Sequence, residues 1–179
     1  MHAIDIDELR DCLAKAIEPG NSTYIRGHAF EDAIEVVFTA VPGCDVQRNS
    51  LNRFASEEVD LSVMNFKDPG GLRALPDIFL VECKDWSVPV NAATVSTFAL
   101  KIRHRGCTLG ILVAANGVTG NPHERTAAFQ SAALALAEGT KILLMTTADL
   151  HTITCATDVV DLLHRRLLDL VAAGTFTLA

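Results

Sequence analysis

The chain has 179 residues, of which 49% are hydrophobic and 21% are charged, and its formal net charge is −7. This length and composition predict one soluble globular domain, 1–179, with a sizeable core. No apolar run approaches the ~18–20 residues that span a bilayer, and the first residues lack the basic start and apolar core of a signal peptide. We therefore expect a cytoplasmic protein that does not contact a membrane.

The cysteines and the charge argue against several kinds of site. The five cysteines are odd in number and scattered, without a Cys-x-x-Cys pair, so neither a zinc knuckle nor a disulfide framework is indicated. The net negative charge argues against a general nucleic-acid binder. Residues 86–148 nevertheless carry 5 Lys and Arg against 2 Asp and Glu, with Lys101, Arg103 and Arg105 close together. This cluster is typical of a solvated helix end, and three cations alone do not establish DNA binding.

The hydrophobic pattern predicts two helices, then three strands, then helices alternating with strands. The first helix covers 4–17, and the second runs from a cap at 21–23 to about Ala40. The later segments are strands near 44–48, 57–65 and 77–85, a helix at 91–104, a strand at 108–115, a helix at about 123–138, a strand at 141–147 and a helix at about 157–172. This order predicts an α/β fold whose mixed sheet is antiparallel in its first half and crossover-connected in its second, with helices on both faces.

The run FLVECKDW at 79–86 carries the first candidate site residues. Apolar residues lead into it, yet Glu82 and Lys84 stand two positions apart. Side chains at i and i+2 of a strand share a face, so this carboxylate and this ammonium would project side by side. Burying charge is costly, and a metal ion beside a lysine, working on a phosphate, would be a use for both groups. An ion pair on an exposed strand is the alternative.

A second acid comes from the preceding strand. Polar and apolar residues alternate over 58–63, with the apolar members predicted to face the core and Asp60 to lie on the opposite face. An antiparallel hairpin folded near Gly71 pairs positions whose numbers sum to about 142, which places Asp60 opposite Glu82 with Cβ atoms ~4.5–5.5 Å apart. Two carboxylates that close repel each other unless a cation lies between them. Asp77 competes with Asp60, but its odd offset from Glu82 places it on the other face.

These residues resemble the PD-(D/E)XK nuclease superfamily and, within it, the restriction-endonuclease-like branch that includes the Mrr-type enzymes. Asp60 matches the first acid, and Glu82-Cys83-Lys84 matches the E-x-K element. The run Gly27-His28-Ala29-Phe30-Glu31 resembles the family's G-x-x-F-E helix pattern. The resemblance covers roughly residues 24–147, with the N- and C-terminal helices packed on this core, and agrees with the superfamily's α-β-β-β-α-β order. The literal Pro-Asp dipeptide is absent at Asp60, and the hairpin is longer than in many members.

The resemblance implies a metal-dependent phosphodiesterase, with nucleic acid, above all DNA, as its substrate and an endonuclease of restriction or defence type as its activity. Asp60 and Glu82 would bind Mg2+, or Mn2+ as a substitute, together with the backbone carbonyl of Cys83. Lys84 would position or help deprotonate the attacking water and stabilise the transition state. Glu31 could hydrogen-bond a water on the ion or bind a second ion. Its alternative role is that of a capping residue in the first turns of its helix.

Other functions stay open at this point. One is a catalytically silent binding or scaffold module with the nuclease-like fold, and another is a hydrolase of RNA or nucleotides. The acidic N-terminal half favours a protein that gains DNA affinity from a partner protein or from forming a homodimer. Trp86, two residues after the lysine, is interpreted as a packing residue of the core or rim rather than as a base-stacking platform.

Overall fold

A computed structural model describes residues 4–51, 58–121, 124 and 126–176. Within them the elements follow in the order α1 (Ile6–Ile17), α2 (Thr23–Thr39), β1 (Cys44–Leu51), β2 (Glu58–Asn65), β3 (Ile78–Lys84), α3 (Ala92–His104), β4 (Leu109–Ala114), α4 (Ala128–Ala137), β5 (Lys141–Thr146), α5 (Thr147–Thr152) and α6 (Ala156–Ala173). None of the helices in this part of the chain is long and apolar enough to cross a membrane.

The strands form one mixed sheet in the order β1-β2-β3-β4-β5. The pairs β1–β2 and β2–β3 are antiparallel, whereas β3–β4 and β4–β5 are parallel. The parallel pairs need crossovers, which α3 and α4 supply, while the antiparallel pairs are joined by loops. The predicted α/β fold with a mixed sheet is therefore confirmed.

Two helix assignments differ from the sequence prediction. Helix α4 begins at Ala128 rather than near 123, since residues 124, 126 and 127 are not helical and 122, 123 and 125 lie outside the described residues. The short helix α5 was not predicted, because the strand pattern runs straight into it. Its start is fixed by a capping box. The Thr146 hydroxyl accepts a hydrogen bond from the Asp149 N–H, and the Asp149 carboxylate accepts one from the Thr146 N–H.

The sheet has a hydrophobic core on each face. On one face α1, α2, α5 and α6 pack against the sheet, and Phe38 of α2 meets Phe79 of β3 with ring centroids 5.8 Å apart. On the other face α3 and α4 pack around Phe98 and Leu112. Helix α3 lies directly on β4, because a Cβ built at Gly110 would stand only 2.6 Å from the Phe98 ring. This close approach places α3 over the end of β3.

The β2–β3 hairpin has the predicted register but an irregular end. From Met64↔Ile78 to Leu61↔Val81, the numbers of the paired residues sum to 142, as predicted. The pairing of β2 with β3 stops after Leu61↔Val81. Beyond it, Val59 packs into the core under α3, whereas Leu61 belongs to the core under α2. Residues two apart share a face in a regular strand, so β2 twists at Asp60. Val59, Leu61 and Val63 are all buried, as predicted, but Val59 lies on the opposite face of the sheet from the other two. The two strands separate next to Asp60.

Candidate active site

Glu82 and Lys84 lie side by side at the end of β3, as their spacing predicts. The Lys84 Nζ atom donates to Glu82 Oε1 at 2.7 Å. Glu82 is only 4% exposed, although β3 ends within two residues. An ion pair on an exposed strand does not describe this arrangement, because the carboxylate is buried and must be neutralised locally.

Asp60 reaches the same place from β2. Its Oδ2 atom accepts a hydrogen bond from the backbone N–H of Cys83 at 2.6 Å, across the gap that opens beyond the last paired residues. Burial and the nearby Glu82 raise the pKa of Asp60 from 3.8 to about 6, although the Cys83 bond and Lys84 oppose the rise. The two carboxylates are thus close enough for the charge of Glu82 to disfavour ionisation of Asp60.

Lys101 of α3 is the site residue that the sequence did not reveal. Its Nζ atom lies 2.8 Å from Glu82 Oε1 and 3.0 Å from Oε2, and it also donates to the Glu58 carbonyl at 2.8 Å. The interpretation of this residue as part of a solvated helix end is therefore wrong. The spacing of residues within α3 gave no signal for this contact, since Lys101 meets Glu82 only because α3 crosses the end of β3.

The contact with Glu82 determines the protonation state of Lys84. Burial by itself lowers the pKa of Lys84, but the charge of Glu82 and its hydrogen bond outweigh that effect, so the pKa rises above its usual value of 10.5. Lys84 is therefore an ammonium at neutral pH. In this state it can donate hydrogen bonds and stabilise negative charge, but it has no lone pair to accept a proton.

Cys83 contributes its backbone rather than its thiol. Its side chain is buried in the core under α2, as predicted, and burial raises the pKa of the thiol well above 9.0. The N–H and C=O groups of one strand residue point to the same neighbouring strand. Because the Cys83 N–H bonds Asp60, its carbonyl also faces the gap between β2 and β3.

Glu31 lies in the middle of α2, so the prediction that it stands in the first turns as a cap is wrong. Its Oε2 atom accepts a hydrogen bond from Arg48 at 3.0 Å and lies 3.4 Å from His28 Nδ1. The charge of Glu31 also contributes to raising the pKa of Asp60. Glu31 thus acts on the site at a distance in this structure, while its carboxylate is held by Arg48.

Asp77, the competing acid, lies away from these residues. It immediately precedes β3, its side chain is 82% exposed, and its Oδ1 atom stands 3.5 Å from Lys67 Nζ. This position agrees with the expectation of a strand-start residue and removes Asp77 from the candidate ligands.

The donor chemistry suits a hard divalent cation. Across the described ranges, no group of three or more His, Cys, Asp or Glu side chains could by itself hold a metal ion. The available donors are instead the two carboxylates of Asp60 and Glu82 and the Cys83 carbonyl, and Mg2+ prefers oxygen ligands of this kind while keeping several waters. The residues therefore fit a metal that is completed by waters and substrate oxygens.

Comparison with known families agrees with this geometry. Residues 23–153 match the model of the restriction endonuclease family Mrr_cat. The chain belongs to this family. The restriction endonuclease match runs from the start of α2 beyond α5, and it contains Glu31, Asp60, Cys83 and Lys84. A search of curated proteins found no match.

Membership makes this a domain of a restriction-type nuclease family, with nucleic acid as the substrate that the family implies. Restriction-endonuclease-like domains generally use divalent metals.

Proposed function

We propose that the domain is a Mg2+-dependent DNA endonuclease of restriction or defence type, in which Mn2+ can replace Mg2+. The observation that carries the proposal is the meeting of Asp60, Glu82 and Lys84 where β2 and β3 separate. Two acids and an ammonium at one strand end are the groups that metal-assisted hydrolysis of a phosphodiester needs. Membership of the restriction endonuclease family supports the same reaction class.

The two carboxylates and one carbonyl would hold the ion. Asp60 and Glu82 supply charged oxygens, and the Cys83 carbonyl faces the same gap. When bound, the ion would lower the pKa of an attacking water and offset negative charge on the phosphate. It would also remove the repulsion between the two carboxylates that raises the pKa of Asp60.

Lys84 would act on the phosphate as a cation. Because Glu82 keeps it protonated, its ammonium can hydrogen-bond the attacking water and stabilise charge that develops on the phosphate oxygens. Glu31, held by Arg48, would add negative potential beside Asp60 and keep the carboxylate pair attractive to a divalent ion. In this assignment Lys84 is a catalytic residue and Glu31 a positioning residue.

A second candidate function is a catalytically silent module that binds nucleic acid. The observation that favours it is the neutralisation of Glu82 by two ammonium groups, Lys84 and Lys101, which satisfies the buried carboxylate without a metal. Hydrolysis of RNA or of nucleotides would use the same side chains as DNA cleavage, so only tests with different substrates distinguish these activities.

A cleavage assay separates these functions. The protein would be incubated with supercoiled plasmid, single-stranded DNA or RNA, in Mg2+, Mn2+ or EDTA, beside Asp60→Asn and Lys84→Met variants. We expect DNA cleavage by the parent with either ion, none in EDTA, and a loss of at least about a hundredfold in each variant. Asp77→Asn, which removes the acid at the other end of β3, is the matched control and should cleave normally.

Two results would count against the proposal. Cleavage that survives both Asp60→Asn and Lys84→Met would remove these residues from the chemistry. Binding of DNA without cleavage of any substrate by the parent would favour the silent module.

A further inference from the structure

A cavity of about 420 Å³ adjoins the candidate active site between the first turns of α2 and the segment that follows β3. Cavities of a few hundred Å³ are of the size that holds small ligands. Its lining includes Thr23, Arg26, Gly27, Lys84, Trp86 and Ser87. Lys84 is therefore shared between this cavity, termed here the α2 pocket, and the proposed catalytic centre.

Trp86 gives the α2 pocket a flat aromatic wall. Its side chain is 40% exposed, and the Lys84 Nζ atom stands 6.0 Å from the centre of its ring. The backbone at this point is fixed, because the Trp86 carbonyl accepts a hydrogen bond from the side-chain amide of Asn116 at 2.5 Å. A large aromatic ring that remains accessible beside a cation is suited to stack on a planar group. An exposure of 40% agrees with the predicted rim position of Trp86 and leaves part of the ring accessible to a ligand.

Gly27 leaves the wall of the α2 pocket that belongs to helix α2 without a side chain at this position. It lies inside α2, where glycine is among the poorest helix formers. A Cβ built at Gly27 would meet no atom within 4 Å, so no neighbouring group in the described structure requires a glycine there. Because glycine has no side chain, this position leaves open volume in the α2 pocket.

Arg26 supplies a positive charge at the α2 pocket. Its Nε atom is buried 3.8 Å from Asp85 Oδ2, but its side chain as a whole is 30% exposed and lines the α2 pocket. The guanidinium can therefore attract and hydrogen-bond an acceptor of a ligand through its exposed part. The α2 pocket thus combines a stacking face, a partly exposed guanidinium and the ammonium of Lys84 at its edge.

We infer that the α2 pocket receives the base of the nucleotide next to the phosphate at Lys84, stacked on Trp86 and within reach of Arg26. This inference rests on the proposed function, since it takes a phosphodiester at Lys84 as its reference. A base can enter only if it is unpaired, because a duplex must first unstack and unpair it. The substrate class is accordingly single-stranded DNA, or DNA that is unpaired at the nucleotide beside the cut.

Trp86 is the only tryptophan in the chain, so its fluorescence reports on the α2 pocket directly. The parent protein would be titrated in EDTA, where no cleavage is expected, with a short single-stranded DNA and with the matched duplex. Stacking of a base on the ring should quench the emission with the single strand and much less with the duplex. Asp77→Asn, which changes an exposed acid at the other end of β3, should show the same quenching.

Gly27→Leu fills the α2 pocket without removing a contact. Leucine is a better helix former and meets open space at this position, so the variant should fold at least as well as the parent. Its quenching by the single strand should be lost. Ala14→Leu, which adds the same side chain at an exposed position of α1, is the matched control and should quench normally. Independently, Trp86→Leu should raise KM for single-stranded cleavage on the order of tenfold while kcat changes little.

Unquenched emission in the parent, or equal quenching in Gly27→Leu, would overturn the inference. The readout does not depend on catalysis. Quenching that Gly27→Leu removes, in a protein that cleaves nothing, would support the nucleotide site while the nuclease proposal fails. Metal-dependent cleavage without quenching would support the nuclease proposal and overturn the nucleotide site.

Discussion

Glu82 is a buried carboxylate that already has two cationic partners. Lys84 donates a hydrogen bond to Oε1 of Glu82. Lys101, which belongs to α3, donates to both carboxylate oxygens. An ammonium bound to a metal ligand opposes the arrival of a divalent ion, since like charges repel at short range. With Glu82 as the proposed metal ligand, Lys101 would set two properties at once, the stability of the metal-free protein and the affinity of the proposed site for metal.

Lys101→Met tests both properties. Removing one partner of a buried pair costs several kcal/mol when the charge is left alone, and because Lys84 remains, we expect a loss of about 1–3 kcal/mol in EDTA. The same change should lower the Mg2+ concentration needed for half-maximal stabilisation. Chemical unfolding across a Mg2+ titration measures both. Lys15→Met, which removes an exposed cation of α1, is the control, and weaker Mg2+ binding by Lys101→Met would contradict the argument.

The raised pKa of Asp60 makes a prediction about pH. Its pKa is about 6 in the folded protein against 3.8 ordinarily, so the neutral carboxyl is favoured by folding. The stabilisation is complete below about pH 4, is lost as pH rises through 6, and then stays lost. Asp60→Asn should therefore be about 1–3 kcal/mol more stable than the parent at pH 8 in EDTA, with the difference vanishing near pH 4. Urea unfolding at several pH values measures this, and a parent more stable than Asp60→Asn at pH 8 would refute it.

Much of the candidate site follows from local rules in the sequence. The spacing of two between Glu82 and Lys84 gives their common face, and the centre of the turn gives the register that brings Asp60 to the same end. Lys101 could not be found in this way, because its contact with Glu82 depends on how α3 crosses β3. No periodicity within one element encodes that crossing.

At the scale of elements, the docking of α3 on β4 positions Lys101. Gly110 permits it, because a Cβ there would stand 2.5 Å from Ile102 Cδ1 and 2.6 Å from Phe98 Cζ. Helix and sheet could not approach so closely over a larger residue. The position of Lys101 in the candidate site thus depends on Gly110 in the neighbouring strand.

Gly110→Ala should destabilise the protein by about 1–3 kcal/mol, because the added methyl group overpacks a fully buried site. Gly27→Ala is the matched control, with no atom within 4 Å of the new methyl group, and should stabilise the protein by about 0.5–1 kcal/mol through helix propensity. Thermal or urea unfolding of the two variants measures the contrast. Equal effects of the two substitutions would contradict the close packing of α3 on β4.

The order of the elements follows from periodicity and turn residues, whereas the irregular positions do not. Most helices and strands begin and end within a few residues of the sequence prediction. The twist of β2 at Asp60 escaped it, since an alternating pattern predicts a regular strand. Asn49, which lies opposite Asp60 when the β1–β2 register is continued, has a left-handed φ of 48°. The twist of β2 accompanies the division of Val59 and Leu61 between the two cores.

At the scale of the molecule, negative charge is concentrated away from the candidate site. An open groove of about 880 Å³ between α1 and α2 is lined by six carboxylates, those of Asp5, Asp7, Glu8, Asp11, Asp32 and Glu35. This face repels a polyanion, so DNA would approach from the end of β3, where Lys84, Lys101 and Arg26 lie. A homodimer or a partner protein that supplies further DNA affinity stays a prediction.

Titration of the metal-free protein with Mn2+, with the free ion followed by electron paramagnetic resonance, tests the proposed metal site most directly. The parent should bind Mn2+, and Asp60→Asn should bind it at least about tenfold more weakly. Lys84→Met should retain the ion while losing cleavage, because the role proposed for the lysine is on the phosphate rather than on the metal. Asp77→Asn should bind as the parent does. Binding of Mn2+ by Asp60→Asn as tight as that of the parent would contradict the assignment.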